Sequence, residues 1–360
     1  MANKPTSEQI KRLPKVLLHD HLDGGLRPQT IIDIAKEIGY KDLPTYNAKE
    51  LGDWVAENCN SGNLVRYLEA FTHTVAVMQR REDIVRVSRE CALDLARDGV
   101  VYAEVRGAPE RLLENGLSLD EVVKATVEGF RLGEADAKNE GFKIRVEYLI
   151  CGMRHDVHSQ ASAELVPKFK GQGVVGFDIA GPEAGFPPTN QLETFQFLQK
   201  NKCHFTIHAG EAAGIDSIKA AVEICGAERI GHGVRIVEDI EMATGKIGSI
   251  AANIKEKKIA LELCPSSNVQ TGAAESLASH PIDKLEKLGF TVTINTDNRL
   301  MSGTSASKEV GIVVDNFGWD FKKLEKVTIN AMNSAFIPES ERSEIIEKII
   351  KPGYAKISAE

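Results

Sequence analysis

Two histidines separated by one residue, His19 and His21, close the apolar run KVLLHDH. On an extended strand alternate side chains share a face, so both imidazoles project to one side and Asp20 to the other. Two same-side imidazoles in a dry interior are costly without a partner. Two more histidines end apolar runs, His208 in HFTIHA and His232 in RIGHG, and acids follow such runs: Asp23, Glu211 in HAGE and Asp297 in TINTDN. Imidazole nitrogen with one carboxylate suits Zn2+, although ligand type leaves Fe2+, Co2+ and Mn2+ open. His19, His21, His208 and Asp297 would supply four protein ligands and water a fifth, one more than a catalytic zinc site usually has. Asp297 is therefore expected to bind weakly and to accept a hydrogen bond from the water. Zinc lowers the pKa of bound water to about 7. His232 would then orient the resulting hydroxide, and Glu211 would protonate the leaving side of a substrate.

Each residue also has a plainer reading. His232 alone reads as a satisfied, partly buried histidine, Asp297 as a helix N-cap, and Glu211 as a first-turn acid of the next helix. Their joint placement at the ends of different strands is what argues for a site. Glu104 and Arg106 in VVYAEVR read as a structural ion pair.

The elements that must position these residues are short apolar runs alternating with helical periodicity. Eight strands are expected: 15–19, 100–106, 143–151, 174–180, 204–209, 229–233, 259–264 and 291–296. Between them lie helical stretches such as SLDEVVKATVEGFRLGEADAKNEG, which opens with a capping box from Ser118 to Glu121 and closes at Gly141. Strands apolar on both faces, alternating with helices, mean a covered parallel sheet. Eight of them predict an α/β fold, a single (β/α)8 TIM-type barrel with active-site groups at the C-terminal strand ends. A doubly wound open sheet is the competing fold, but neither GxGxxG nor a Walker A sequence is present. The reading gives an N-terminal segment 1–13, a catalytic barrel 14–350 with a helical insertion at 27–99 after the first strand, and a C-terminal tail 351–360. Whether that insertion roofs the barrel mouth or only stabilises it is open at this level.

The bulk numbers agree with such an enzyme. The chain has 360 residues, 42% apolar and 27% charged, and 44 basic against 52 acidic side chains leave a net charge of −8. That mild excess of acid argues against a nucleic-acid or anionic-membrane partner. Six scattered cysteines without a CxxC pair, no apolar leader in MANKPTSEQIKR and no apolar run of membrane length point to a cytoplasmic protein.

In order, KVLLHDHLDGGLRP, VVYAEVR, CGMRH, GFDIAGPE, TIHAGE, RIGHGV, LCPSSN and TINTDN closely resemble the adenosine deaminases of the metal-dependent amidohydrolase superfamily. The resemblance runs from about Pro14 to the C-terminal helices. It implies one Zn2+ per chain on His19, His21, His208 and Asp297, and substrate contacts from His21, Asp23 and Gly181, with Asp23 near the ribose hydroxyl. It makes Glu211 the proton donor to purine N1 and His232 the group that positions the hydroxide. The implied reaction converts adenosine, and 2′-deoxyadenosine with it, to inosine and ammonia in purine salvage. The partner is thus a small purine nucleoside.

One position departs from the family. Two consecutive aspartates commonly follow NT, and here the second is Asn298, at the place whose usual role is a hydrogen bond to purine N7. Another 6-aminopurine, such as adenine, a thioadenosine or an aminofutalosine-type compound, is therefore the alternative substrate, and a non-catalytic purine-binding protein the alternative class. A binuclear amidohydrolase fits less well, because VVGFDIAG has no lysine to become a bridging carbamate. The cytidine-deaminase type needs PCxxC where this chain has CPSS.

Overall fold

The computed structural model describes residues 4–156 and 159–360. Residues 1–3 of the N-terminal segment lie outside the described residues. Eight parallel strands follow one another in chain order around a ring: β1 (Lys15–His21), β2 (Val100–Gly107), β3 (Arg145–Met153), β4 (Val174–Ala180), β5 (His204–Ala209), β6 (Arg229–His232), β7 (Ala260–Leu263) and β8 (Val292–Ile294). This is the expected barrel. Apolar residues on these strands, Leu18, Val105, Phe177 and Ile207 among them, are buried, each worth about 1.5–3 kcal/mol relative to exposure.

Several strand ends differ from expectation by one or two residues, and two of the differences place site residues. β1 runs on to His21 because, after a register shift between Leu17 and Asp20, Asp20 and His21 pair with Val105 and Arg106 of β2. β8 stops at Ile294 because the Asn295 side chain turns inward and accepts the Leu18 backbone N–H at 2.8 Å. The ring closes between β8 and β1 through that contact and a single bridge, Asp20 to Asp297. A small antiparallel pair, Ile240–Glu241 with Lys246–Ile247, was not foreseen.

Five helices lie between β1 and β2: Pro28–Ile38, Ala48–Cys59, Leu64–Glu69, Phe71–Ala76 and Arg81–Arg97. The last packs on Leu119–Asn139, the helix whose Ser118–Glu121 capping box is formed. Gly129 and Gly133 permit that contact, since a Cβ on Gly133 would stand 2.3 Å from the Arg89 carbonyl oxygen. The C-terminal tail is helical over residues 351–358, with Tyr354 and Ile357 buried, and the Tyr354 and Thr328 hydroxyls are 2.9 Å apart. Among the described residues no helix is long and apolar enough to cross a membrane.

Candidate metal centre and active site

His19 and His21 from β1, His208 from β5 and Asp297 just beyond β8 each bring one donor atom to a common point, all within 4.8 Å of one another. Asp297 Oδ1 lies 3.3 Å from His19 Nε2 and 3.3 Å from His21 Nε2. His21 Nε2 is 3.2 Å from His208 Nε2. Behind them, His19 Nδ1 is 2.9 Å from Glu262 Oε2. Burial alone would raise the Glu262 carboxyl, but Arg106 and Arg229 outweigh it and hold the group well below the usual carboxylate range. A carboxylate only accepts, so His19 carries its proton on Nδ1 and aims the Nε2 lone pair at the centre. That buried Nε2 has no hydrogen-bond partner. A divalent cation would take up this lone pair and separate the His21 and His208 nitrogens, so the residues present fit a metal ion.

The support behind the ligands was only partly foreseen. Arg106 donates to Asp178 and, at 2.9 Å, to Glu262. His208 Nδ1 lies 2.8 Å from Asp178 Oδ2, at ion-pair distance but off the line of a hydrogen bond. Arg106 and Glu104 do not pair with each other. Two residues apart on one strand face, they stand roughly 6.6 Å apart along the chain, and each reaches across the barrel instead. Glu104 takes Arg229 at 2.7 Å, the Tyr102 hydroxyl at 2.9 Å and the Phe336 backbone N–H at 2.6 Å.

Across the centre stand Glu211 and His232. Burial, with Asp297 adding to it, pushes the Glu211 carboxyl well above its ordinary range, which favours its protonated form. Thr271 Oγ1 donates to its Oε1 at 2.9 Å, and Oε2 lies 3.6 Å from His232 Nε2. Glu211 therefore does not serve the next helix. Its loop is fixed by Glu183, whose carboxylate accepts the backbone N–H groups of Gly210, Glu211, Ala212 and Ala213 at 2.7 to 3.0 Å. Burial, with His19 adding to it, lowers His232 well below the ordinary imidazole value.

Asp297 is not an N-cap either. Its Oδ2 accepts from Ser267 Oγ at 2.6 Å. Asp297 and His232 both have left-handed backbones, φ +57° and +62°, a strain of about 1–3 kcal/mol each for a non-glycine residue. The Asp297 turn is held by two closure bonds: its N–H donates to the His19 carbonyl at 2.9 Å, and its carbonyl accepts the His21 N–H at 2.8 Å.

These groups line a cavity of about 330 Å³, within the usual range for small-molecule sites, roughly 300–1,000 Å³. Asp23, Gly181 and Asn298 line it too, and Leu64, Tyr67, Leu68 and Phe71 from the helices after β1 form an apolar wall. Burial raises the Asp23 carboxyl to about 6. Asn298 lies over Gly24, where an added Cβ would stand 1.9 Å from Asn298 Oδ1. A larger cavity of about 760 Å³, bounded by Arg145, Glu228 and Phe336, contains none of the converged groups.

Of the residues expected at the site, all but His19 line this cavity, and the buried His19 joins them through the donor cluster. Sequence reasoning missed the roles of Glu262, Asp178, Glu183, Ser267, Asn268 and Thr271. Glu262 in IALELC and Asp178 in VVGFDIA carried a usable signal: a charge inside an apolar buried strand must face a buried partner.

A family model described as adenosine deaminase matches residues 14–352. The chain is 54% identical over 363 residues to adenosine deaminase 1 of Streptomyces coelicolor, covering 100% of this chain and 92% of that one. Among solved structures it is similar to the Arabidopsis N6-mAMP deaminase, with TM-score 0.83, 25% identity, and 96% and 99% of the two chains covered. It also shares its fold with a Burkholderia ambifaria amidohydrolase solved with bound Zn, with TM-score 0.81, 20% identity, and 100% and 97% covered. A barrel whose strand ends gather three imidazoles, one aspartate and a buried acid, matched over nearly its whole length by one family, leaves a single assignment: the chain belongs to the adenosine deaminase family.

Proposed function

We propose that the chain hydrolyses adenosine, and 2′-deoxyadenosine with it, to inosine and ammonia, with one Zn2+ per chain held by His19, His21, His208 and Asp297. The observation that carries this reading is the convergence of those four donors beside Glu211, a buried carboxyl pushed well above its ordinary range, at one cavity. The substrate is supported by the name of the Streptomyces relative. Zinc is supported by the donor set and is the ion in the Burkholderia structure.

A bound divalent cation of this kind supplies a water nucleophile at neutral pH. The protein's own groups do the rest. Attack at purine C6 builds electron density on N1, and Glu211, kept protonated by burial, donates its proton there. Thr271 keeps that carboxyl aimed by occupying Oε1. His232 orients the attacking oxygen. His21, Asp23 and Gly181 contact the nucleoside, Asp23 at the ribose hydroxyl, and Asn298 donates to N7.

Asn298 also motivates a second reading, a preference for another 6-aminopurine. The Arabidopsis neighbour, which by name acts on N6-mAMP, shows that the fold accommodates one. The deciding experiment is metal analysis combined with amine release: ammonia from adenosine, 2′-deoxyadenosine, adenine and a 5′-thioether nucleoside, and methylamine from N6-methyl-AMP. Adenosine is expected to have the highest kcat/KM. A higher value for one of the last three would establish the second reading, and no amine released from any of them would leave a binding protein.

A further inference from the structure

His232 can present the cavity with either a lone pair or an N–H, and the neighbour of its other nitrogen decides which. Its Nδ1 lies 3.0 Å from Asn268 Nδ2. An amide nitrogen only donates and an amide oxygen only accepts, so the orientation of the Asn268 amide is decisive. Two donors fix that orientation. The Cys264 backbone N–H, which can only donate, meets Asn268 Oδ1 at 3.1 Å. His280 Nε2 lies 3.2 Å from the same oxygen, and the Ile282 backbone N–H donates to His280 Nδ1 at 3.2 Å. Burial lowers His280 to about 4, so its ring is neutral. With Nδ1 accepting, its one proton sits on Nε2. Turning the Asn268 amide around would set its NH2 against both donors, in a place where Cys264, Asn268 and His280 are all buried.

We propose that Asn268, oriented by Cys264 and His280, is a positioning residue that fixes His232 with its proton on Nε2. The chain of bonds runs one way, from the Ile282 N–H through His280 and Asn268 to His232 Nδ1. The single lone pair of neutral His232 is taken by Asn268, so the ring turns an N–H toward the cavity. In that state it donates a hydrogen bond to the attacking oxygen and cannot remove a proton from it. Neither Asn268 nor His280 lines the cavity, so their effect on the reaction passes through His232.

The effect on rate rests on the deaminase reading, but the tautomer does not, and the two are tested apart. Selective 15N labelling of histidine in the metal-loaded enzyme, with His232 assigned from a His232→Asn spectrum, reports which ring nitrogen is protonated. The expected result without substrate is a bare Nδ1 and a protonated Nε2. A protonated Nδ1 in the wild type would overturn the proposal. Asn268→Asp keeps the shape but turns an acceptor toward Nδ1 and should draw a proton there. We expect kcat to fall on the order of ten- to hundredfold, with KM within about threefold and metal content unchanged. His280→Leu leaves Cys264 to hold the amide and should lower kcat by less. If Asn268→Asp does not fold, the wild-type spectrum still decides the tautomer, and Asn268→Ala carries the kinetic test. Wild-type kcat in the folded Asn268 variant would sink the positioning role, whereas a wild type that releases no ammonia would sink only the deaminase reading.

Discussion

His19 and His208, on the ligand side of the cavity, rest against buried carboxylates, Glu262 and Asp178, which Arg106 and Arg229 hold in turn. Glu211 and His232, across the centre, rest against neutral groups: the Thr271 hydroxyl and the Asn268 amide. The difference follows from what each side must do. An imidazole that coordinates a cation needs its lone pair aimed inward and gains basicity from an anion on its far nitrogen. A carboxyl that must stay protonated gains from the opposite arrangement. Burial raises Glu211, and the carboxylates of Asp297 and Glu183 act in the same direction. One barrel end therefore holds ligands backed by charged partners and, across from them, an acid and an imidazole whose hydrogen-bond partners are neutral.

The ligand side can be broken outright. Chelation is expected to abolish turnover and Zn2+ to restore it, with about one ion per chain, as the single four-residue ligand set requires. Metal analysis alongside the assay decides this. Two tightly bound ions per chain, or full activity in stably metal-free protein, would end the single-site account.

The acid side breaks differently. Glu211→Gln keeps the volume but cannot deliver a proton, so turnover should drop roughly 10²–10⁴-fold while the metal is retained. Near wild-type turnover in that variant would mean that the acid lies elsewhere.

The comparison sharpens at the supporting shell. Glu262→Gln removes the anion behind His19 and sets an NH2 among guanidinium donors, so metal affinity should weaken roughly 10–100-fold. Thr271→Val, on the neutral side, should leave metal affinity where it is and lower kcat. A chelator-competition titration of the two variants measures the contrast. Equal metal affinities would show that charge behind the ligands does not matter here.

Much of this was legible before any coordinates, and the reason differs by level. Barrel strands are buried on both faces, so their apolar runs stand out, and the polar residues that end them stand out more. That is why His19, His21, His208, His232, Glu211 and Asp297 could be named. The supporting residues were hidden because their partners are far away in the chain. Glu262 meets His19 across 243 positions and Arg106 across 156, and no local pattern encodes such a pairing. The expected pairing of Glu104 with Arg106 failed for the same reason: proximity in sequence stood in for a geometry that the barrel interior overrides. Asn268 lies in LCPSSN, where nothing local ties it to His232, 36 positions away. Its importance comes from the two N–H groups that fix its amide, which appear only once the chain is folded.

The smallest expected effect lies at Asn298, where this chain leaves its family's pattern. Purine N7 is a lone-pair acceptor. A carboxylate facing it must first be protonated, whereas an asparagine amide donates at any ordinary pH. Asn298 lines the cavity next to Asp297 and is buried against Gly24, so its reach is constrained and its loss leaves a gap rather than a flexible replacement. Asn298→Ala should weaken catalysis on adenosine by about 0.5–1.5 kcal/mol, the scale of one neutral hydrogen bond, and by more if N7 stays buried and unpaired. Rate loss alone would not identify the contact, because a cavity beside Asp297 could also disturb the ligand. Wild type and Asn298→Ala are therefore each assayed with adenosine and with its 7-deaza analogue. If Asn298 reads N7, the wild type loses activity on the analogue, and that penalty largely vanishes in the alanine variant. A deaza penalty of unchanged size would assign N7 to another donor and leave Asn298 a packing residue over Gly24.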